Sequence, residues 1–206
     1  MSSPSSQIET FERLVDLVLR RPGPVRLVAV DGPGGAGKST FADRLVAAAE
    51  GKAIVVRTDD FASADEPIDW WPRLLSEVIE PLMDGGAARF QRYDWTTRER
   101  AEWVRVPPRP IVIIEGVSSS RRQWSRHLTF SIWIETEAEV RLERGVARDG
   151  DDMLAQWQTW MAAEDRHFHQ DGARSKANLV VDGDPVRQHD PETEFVVHPS
   201  SPPLPG

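Results

Sequence analysis

The stretch of sequence that decides the fold runs from Val28 to Thr40 and reads VAVDGPGGAGKST. Its centre, from Gly32 to Ser39, satisfies the pattern G-x-x-x-x-G-K-[ST], whose glycines let the backbone curl so that successive N–H groups point at an anion. The short run VRLVAV, rich in β-branched residues, precedes the loop, and a helical pattern from Lys38 to about Glu50 follows it. Because phosphate binding requires this strand–loop–helix context, we interpret the match as a phosphate loop rather than a glycine-rich turn that fits by chance.

The loop predicts nucleotide and metal ligands residue by residue. The loop N–H groups and the positive end of the following helix would hold the phosphates of ATP. Lys38 would reach the β- and γ-phosphates, and the Ser39 hydroxyl would bind Mg²⁺. The predicted nucleotide-binding residues are Gly32, Gly34, Gly35, Ala36, Gly37, Lys38, Ser39 and Thr40.

Strand and helix patterns alternate along the rest of the chain, which indicates a parallel sheet with helices on both faces. The strand candidates are residues 53–56, 111–114, 129–134 and 178–181, and the helix candidates are residues 70–84, 137–148 and 152–168. We therefore expect an α/β fold, a three-layer α/β/α sandwich of the P-loop NTPase type with a central parallel sheet. Residues 88–93 and 103–106 would form a small antiparallel acceptor flap.

The two ends of the chain are predicted to lie outside this core. Ser6 and Glu9 form a capping-box pattern that predicts a helix to about Arg20, and the prolines and glycine at 22–24 end it. Residues 183–206 hold six of the 16 prolines and few apolar residues. We thus expect a kinase-type domain over residues 1–182, with 1–24 as N-terminal helix and linker, and a flexible tail over 183–206.

The amino-acid composition limits the kinds of bond and binding partner that the protein can have. The 206 residues contain no cysteine, so disulfides, thiolate nucleophiles and cysteine-ligated zinc are excluded. A formal net charge of −8 makes non-specific nucleic-acid binding unfavourable. The sequence has no apolar run long enough to span a membrane and no signal-peptide pattern. We expect a cytoplasmic protein without nucleic-acid or membrane partners; the sequence leaves open whether it forms a homo-oligomer.

Acidic residues follow two of the predicted strands at their carboxyl ends, where ligands bind in parallel α/β sheets. Asp59 and Asp60 follow the strand at 53–56, and either could take a proton from an acceptor hydroxyl or serve as a turn or helix N-cap residue. Glu115 follows the buried run IVII, a placement typical of an acid that holds Mg²⁺. The alternative for Glu115 is an ordinary charge at a strand end.

Three arginines share one face of a predicted helix, since Arg141, Arg144 and Arg148 recur at i, i+3 and i+7. Arginines that close over ATP can neutralise charge on the transferred phosphoryl group. We take Arg144 and Arg148 as catalytic candidates. The alternative is a solvated face paired with neighbouring glutamates.

Taken together, the pieces from Leu27 to Asp182 resemble the uridine kinase family of P-loop kinases. Asp59-Asp60-Phe61 is similar to the family's D-x-F segment, whose first Asp is the general base, so the resemblance selects Asp59. Tyr93-Asp94-Trp95 resembles its Y-D-F at the hairpin that contacts the acceptor. The sequence RLERGVARD resembles the helix beside the lid, with its phosphate-facing arginines.

The chain departs from the family pattern at three places. The family has a histidine where this chain has Arg98, although Arg100 does match. The lid stretch expected after Asp149 is shortened, and the family's ribose-binding H-P-D is echoed only loosely, by a segment that ends at Asp69. The resemblance implies substrate roles for Asp59, Asp69, Tyr93, Arg98 and Arg100.

The expected activity is the transfer of the γ-phosphoryl group of Mg·ATP to a hydroxyl of a small, nucleoside-like acceptor. Arg98 leaves pyrimidine specificity open, because arginine only donates hydrogen bonds whereas histidine can also accept them. One alternative is a kinase of another small alcohol, such as a sugar or vitamin precursor. The other is a non-catalytic nucleotide-binding protein or an NTPase with a regulatory role.

Overall fold

A computed structural model describes residues 7–63 and 69–204 of the chain. The strands of its main sheet are β1 Gln7–Thr10, β2 Arg26–Asp31, β3 Ala53–Arg57, β6 Ile111–Glu115, β7 Leu128–Glu135, β8 Leu179–Asp182 and β9 Glu194–Val197. A separate antiparallel hairpin is formed by β4 Ala88–Asp94 and β5 Glu99–Val106.

The seven-stranded sheet has the order β1-β9-β8-β7-β2-β6-β3. Strands β8, β7, β2, β6 and β3 are paired in parallel, and β9 runs antiparallel to β8 and β1. The predicted α/β fold with a small antiparallel flap is confirmed, although the sheet is mixed at one edge rather than entirely parallel.

Helices connect the parallel strands. Their bounds are α1 Phe11–Leu19, α2 Lys38–Ala48, α3 Trp71–Leu74, α4 Glu80–Met83, α5 Ala138–Asp149, α6 Leu154–Asp171 and α7 Ala173–Lys176. A π-helical turn, Leu75–Ile79, links α3 to α4, so the predicted helix at 70–84 is one segment with a local change of winding. None of the helices in the two described ranges is long and apolar enough to cross a membrane.

The sheet is apolar on both faces because its central strands alternate between two core clusters. In β6, Ile111 and Ile113 pack into one cluster, whereas Val112 and Ile114 pack into the other. The first cluster holds the rings of Phe11, Phe41 and Phe195. The second lies under the hairpin and the segment Trp71–Met83, with members that include Trp70, Leu74, Phe90 and Trp124.

The N-terminal helix begins later than the sequence predicts. Residues Gln7–Thr10 form β1, and Thr10 caps α1, where its hydroxyl oxygen accepts from the Arg13 N–H at 3.2 Å. Ser6, the residue expected to cap the helix, lies outside the described residues. The correction has a tertiary cause: β1 is held by backbone pairing with β9, which a local capping pattern cannot anticipate.

The prediction of a flexible tail is wrong for residues Glu194–Val197, which form β9. This strand pairs with β1 and β8, and Phe195 is only 3% exposed. The prolines lie before and after the strand rather than within it, so the short run EFVV is free to pair. A low average apolar content concealed one locally apolar strand.

Candidate active site

The phosphate loop lies between β2 and α2 and packs directly on α5. Gly35 has φ +77°, and a Cβ atom there would lie 2.5 Å from the carbonyl oxygen of Arg141. Only glycine allows both the left-handed backbone and this close approach. The loop is therefore anchored to the first turn of α5, where the predicted arginine cluster begins.

Lys38 is folded into the loop in this structure. Its side chain is 7% exposed, and its Nζ donates a hydrogen bond to the Pro33 carbonyl oxygen at 2.8 Å. Because Pro33 belongs to the loop, this bond places the ammonium group of Lys38 among the loop residues predicted to hold phosphate. A phosphate oxygen that enters the loop can replace this carbonyl as a partner for Nζ.

Ser39 and Glu115, the two predicted metal ligands, lie together at the carboxyl ends of β2 and β6. The Ser39 hydroxyl donates to Glu115 Oε1 at 3.2 Å, and Arg57 Nη1 donates to Glu115 Oε2 at 2.7 Å. Burial raises the pKa of Glu115, whereas the positive charges of Lys38 and Arg57 oppose that shift. Adjacent hydroxyl and carboxylate oxygens are hard donors of the kind that Mg²⁺ prefers, so the residues present fit this ion.

Asp59 and Asp60 occupy a 3₁₀ turn, Thr58–Asp60, directly after β3. Asp59 is exposed at this edge of the sheet, whereas Asp60 is partly buried. Burial raises the pKa of Asp60, and Arg92 opposes the shift. Since β3 pairs with β6, the turn that carries the two aspartates follows the strand next to the one that Glu115 ends.

The hairpin reaches Asp59 through a tryptophan near its tip. Trp95 Nε1 donates to the Asp59 carbonyl oxygen at 3.3 Å, and the ring of Tyr93 packs edge-on against Trp95 with centroids 5.1 Å apart. Arg100 is the cross-strand partner of Tyr93. Thus Tyr93 and Arg100 are brought to the same part of the hairpin, beside the aspartate turn.

Arg98 lies in the exposed turn of the hairpin with φ +58°, and its N–H donates to the Asp94 carbonyl oxygen at 2.7 Å. Asp69 is also exposed, 81% by side chain, and its Oδ1 lies 3.8 Å from Nη2 of the buried Arg121. Sequence reasoning did not single out Arg121, because nothing local to it marks a side chain that the fold buries.

The three arginines of α5 have different surroundings. Arg144 donates to the Gly183 carbonyl oxygen at 3.0 Å and to Asp184 at 2.6 Å. Arg148 forms two hydrogen bonds with Asp149, and those bonds raise its pKa, with a further contribution from the charge of Asp59.

Arg141 is the arginine most closely associated with the phosphate loop. It is 6% exposed, its Nε donates to the Thr136 carbonyl oxygen at 3.1 Å, and its Nη1 has no hydrogen-bond partner among the described residues. The i, i+3, i+7 spacing groups the three arginines but does not tell which of them turns inward. A buried donor without a partner beside an anion loop is suited to a phosphate oxygen.

Asp31 is a further residue that sequence reasoning passed over. It ends β2 and accepts hydrogen bonds from the Gly32 N–H at 2.7 Å, the Ser118 N–H at 2.9 Å, the Ser120 N–H at 2.8 Å and the Ser120 hydroxyl at 2.5 Å. Burial raises the pKa of Asp31, and the bonds from Ser120 and Gly32 oppose that shift. The carboxylate ties the start of the phosphate loop to the loop after β6.

A cavity of about 400 Å³ opens beside the phosphate loop. Gly37, Thr40 and Arg44 line one side, and the segment from Asp182 to Val196 contributes to the other. Arg44 Nη2 is bonded to Glu192 Oε1 at 2.8 Å, which holds that segment against α2. The volume lies within the range of small-molecule sites, and the rings of Phe11, Phe41 and Phe195 make part of the lining apolar.

A phosphate loop with an acid at the end of the neighbouring strand is an arrangement typical of P-loop phosphotransferases. The phosphoribulokinase/uridine kinase family model matches residues 61–153. The chain is a distant relative of this family of P-loop kinases and of its uridine kinases.

Curated relatives match over part of their length. A uridine kinase from Halobacterium salinarum is 27% identical over 142 residues, which are 61% of this chain and 63% of that protein. Uridine kinase-like protein 4 from Arabidopsis thaliana is 26% identical over 162 residues, 71% of this chain and 34% of that protein. The chain thus spans less than two thirds of the length of these relatives.

Two solved structures share the fold. A protein from Bacillus stearothermophilus described as a possible uridine kinase superposes with a TM-score of 0.62 at 17% identity, covering 82% of this chain and 96% of that one. A candidate fructose transport system kinase from Silicibacter sp. TM1040 gives a TM-score of 0.64 at 24% identity, covering 84% and 98%. At these identities the likeness concerns the fold alone.

Proposed function

We propose that this protein is an ATP-dependent kinase that transfers the γ-phosphoryl group to a hydroxyl of a small, nucleoside-like molecule. One observation carries the proposal: the phosphate loop, the Ser39–Glu115 pair and Asp59 lie at the carboxyl ends of the adjacent parallel strands β2, β6 and β3. An exposed carboxylate at the third of these positions is suited to accept the proton of an acceptor hydroxyl.

Each group has a role in the proposed reaction. The loop N–H groups and Lys38 would hold the β- and γ-phosphates. Ser39 and Glu115 would hold Mg²⁺, which supplies positive charge to the phosphates when it is bound. Asp59 would accept the acceptor's proton while the hydroxyl oxygen bonds to the γ-phosphorus and the bond from that phosphorus to ADP breaks.

The arginines of α5 would neutralise charge on the phosphates during transfer. Arg141 is the candidate nearest the loop because it is buried there with an unbonded Nη1 among the described residues. Arg148, whose pKa the charge of Asp59 helps to raise, is a second candidate. Arg144 is bonded to Gly183 and Asp184 and lines the cavity, so it would neutralise phosphate charge from that side.

The hairpin would receive the acceptor, with Tyr93, Arg100 and Trp95 next to Asp59 and with Asp69 and Arg98 at its margins. Relatives named uridine kinases favour a nucleoside, and a structural neighbour described as a candidate fructose transport system kinase makes a sugar the second acceptor class. Arg98 stands in an exposed turn, so it would meet an acceptor group at the rim of the site.

A panel assay tests the proposal. The full chain is incubated with Mg·ATP and one compound at a time from sets of nucleosides, sugars and vitamin precursors, and ADP formation is measured. We expect one acceptor class to raise ADP formation well above the rate with no acceptor, and Lys38→Ala to abolish the increase. ATP binding with a turnover that no acceptor changes would favour the regulatory alternative instead.

A further inference from the structure

Helix α6 lies directly on the phosphate loop, and two glycines make that contact possible. The buried ring of Trp157 packs so closely on α5 that a Cβ atom at Gly145 would overlap it, and a Cβ atom at Gly34 would lie 3.1 Å from the same ring. Gly150 and a short turn, Asp151–Met153, join α5 to α6. The first half of α6 is therefore fixed against the loop by packing.

Glu164 follows Trp157 by seven residues and so lies on the same face of α6. It is 9% exposed, and its Oε2 accepts a hydrogen bond from the Gly34 N–H at 2.9 Å. Gly34 belongs to the phosphate-binding pattern, so this carboxylate engages an N–H of the loop that is expected to point at phosphate. The charged groups that act on Glu164 are Lys38 and Arg141, which favour its anion, and Asp165, which opposes it.

We propose that Glu164 is an internal anion of the phosphate loop, so that ATP binds in competition with its carboxylate. The inference rests on the proposed function, since it concerns how the same loop receives its nucleotide. A carboxylate oxygen and a phosphate oxygen are both acceptors with negative charge, and one N–H makes one well-aligned hydrogen bond. The two anions would also share the positive charges of Lys38 and Arg141.

Burial gives the competition a defined pH dependence. Burial raises the pKa of Glu164, while the bond from Gly34 and the charges of Lys38 and Arg141 oppose that shift. The anion competes with ATP only while it is ionised. Lowering the pH through the pKa of Glu164 therefore removes the competition and favours ATP binding, whereas raising the pH above it establishes the competition in full.

The test compares two variants of the full chain that remove one negative charge each. Glu164→Gln keeps an amide oxygen that can accept from Gly34 but has no charge, and Asp165→Asn makes the same change of charge on the exposed side of α6. The Kd for Mg·ATP is measured by calorimetry. We expect Glu164→Gln to bind about tenfold more tightly than wild type, as for one like charge removed at short range, and Asp165→Asn to stay within about twofold.

A pH series completes the design. The ratio of the wild-type Kd to the Glu164→Gln Kd cancels the titration of ATP itself, and we expect this ratio to fall toward one as the pH is lowered. The competition is refuted if wild type binds ATP and Glu164→Gln, with an unchanged melting temperature, binds it equally well or more weakly. Glu164→Ala replaces Glu164→Gln in the same comparison if the latter melts early. If wild type binds no ATP, the proposed function itself fails, which is a different result.

Discussion

Asp59 and Asp60 are neighbours in the sequence, yet the structure gives them different surroundings. Asp59 is exposed beside Trp95, whereas Asp60 is partly buried and burial raises its pKa. We expect Asp59→Asn to lower kcat about 10²- to 10⁴-fold, the range for loss of a positioned base, with little change in ATP affinity. Steady-state kinetics with the best acceptor from the panel would measure this.

Asp60→Asn is the matched control for that experiment, because it makes the same chemical change one residue away. We expect it to alter kcat less than about tenfold, since Asp60 is partly buried and so less available to an acceptor than the exposed Asp59. If Asp60→Asn is the damaging change and Asp59→Asn is mild, the assignment of the base is one residue out of register.

The prediction for Asp31 concerns the stability of the fold rather than the chemistry of the site. Its carboxylate accepts from donors on both flanking loops, and an asparagine would turn an NH₂ group toward one of these donors. We expect Asp31→Asn to lower the free energy of unfolding by about 1–3 kcal/mol, the usual range for a buried polar group left unsatisfied. Urea denaturation measures this free energy, and Asp16→Asn, at an exposed position, is the control. Equal stability of the two variants would contradict a stabilising role for the hydrogen bonds of Asp31.

At this scale the sequence was informative where a motif fixes both residue type and spacing. The loop residues and Glu115 were predicted because a strand, a glycine-rich loop and an acid each leave a local pattern. Glu164 leaves none, because its contact with Gly34 joins two residues 130 positions apart. The i, i+3, i+7 spacing groups Arg141 with Arg144 and Arg148, and only burial distinguishes it from them.

Among the elements, β9 gives the sharpest test, because the sequence predicts it to be dispensable and the structure buries it. Phe195 packs against Phe11 and Phe41 with ring centroids 5.3 Å from each. We expect Phe195→Ala to lower the free energy of unfolding by about 3–5 kcal/mol, as for other buried phenylalanines. Val186→Ala, at a fully exposed position of the same segment, should change it by less than about 0.5 kcal/mol.

Thermal and urea denaturation of the two variants would decide the role of β9. Equal stability would mean that the strand contributes nothing and that the chain from residue 183 behaves as the tail its composition suggests. The hairpin β4–β5 was easier to predict than β9, since its two strands are close in sequence and close a short turn. β9 pairs instead with β1, which lies near the other end of the chain, and no local sequence pattern predicts pairing between strands so far apart.

At the scale of the whole molecule, the two apolar clusters lie on opposite faces of the main sheet, and each supports a different part of the candidate site. One cluster joins α1, α2 and β9 and lies beside the cavity at the phosphate loop; the other supports the hairpin and the segment Trp71–Met83. The continuous apolar runs of β2 and β6 are typical of strands buried on both faces, so the sequence does predict a layer of helices on each side of the sheet. Which ends of the chain close over the cavity is decided by tertiary pairing alone.

This arrangement predicts that the two substrates act on different parts of the chain. A non-hydrolysable ATP analogue with Mg²⁺ should slow amide hydrogen exchange in the phosphate loop, in the first turn of α2 and in residues 183–196, because these segments line the cavity. The hairpin should be unchanged by the nucleotide and become protected when an acceptor is added, since its Trp95 contacts the turn that carries Asp59. Lys38→Ala should lose the nucleotide effect. Protection of the hairpin by nucleotide alone, with none over residues 183–196, would place the nucleotide beside the hairpin and would reassign the cavity.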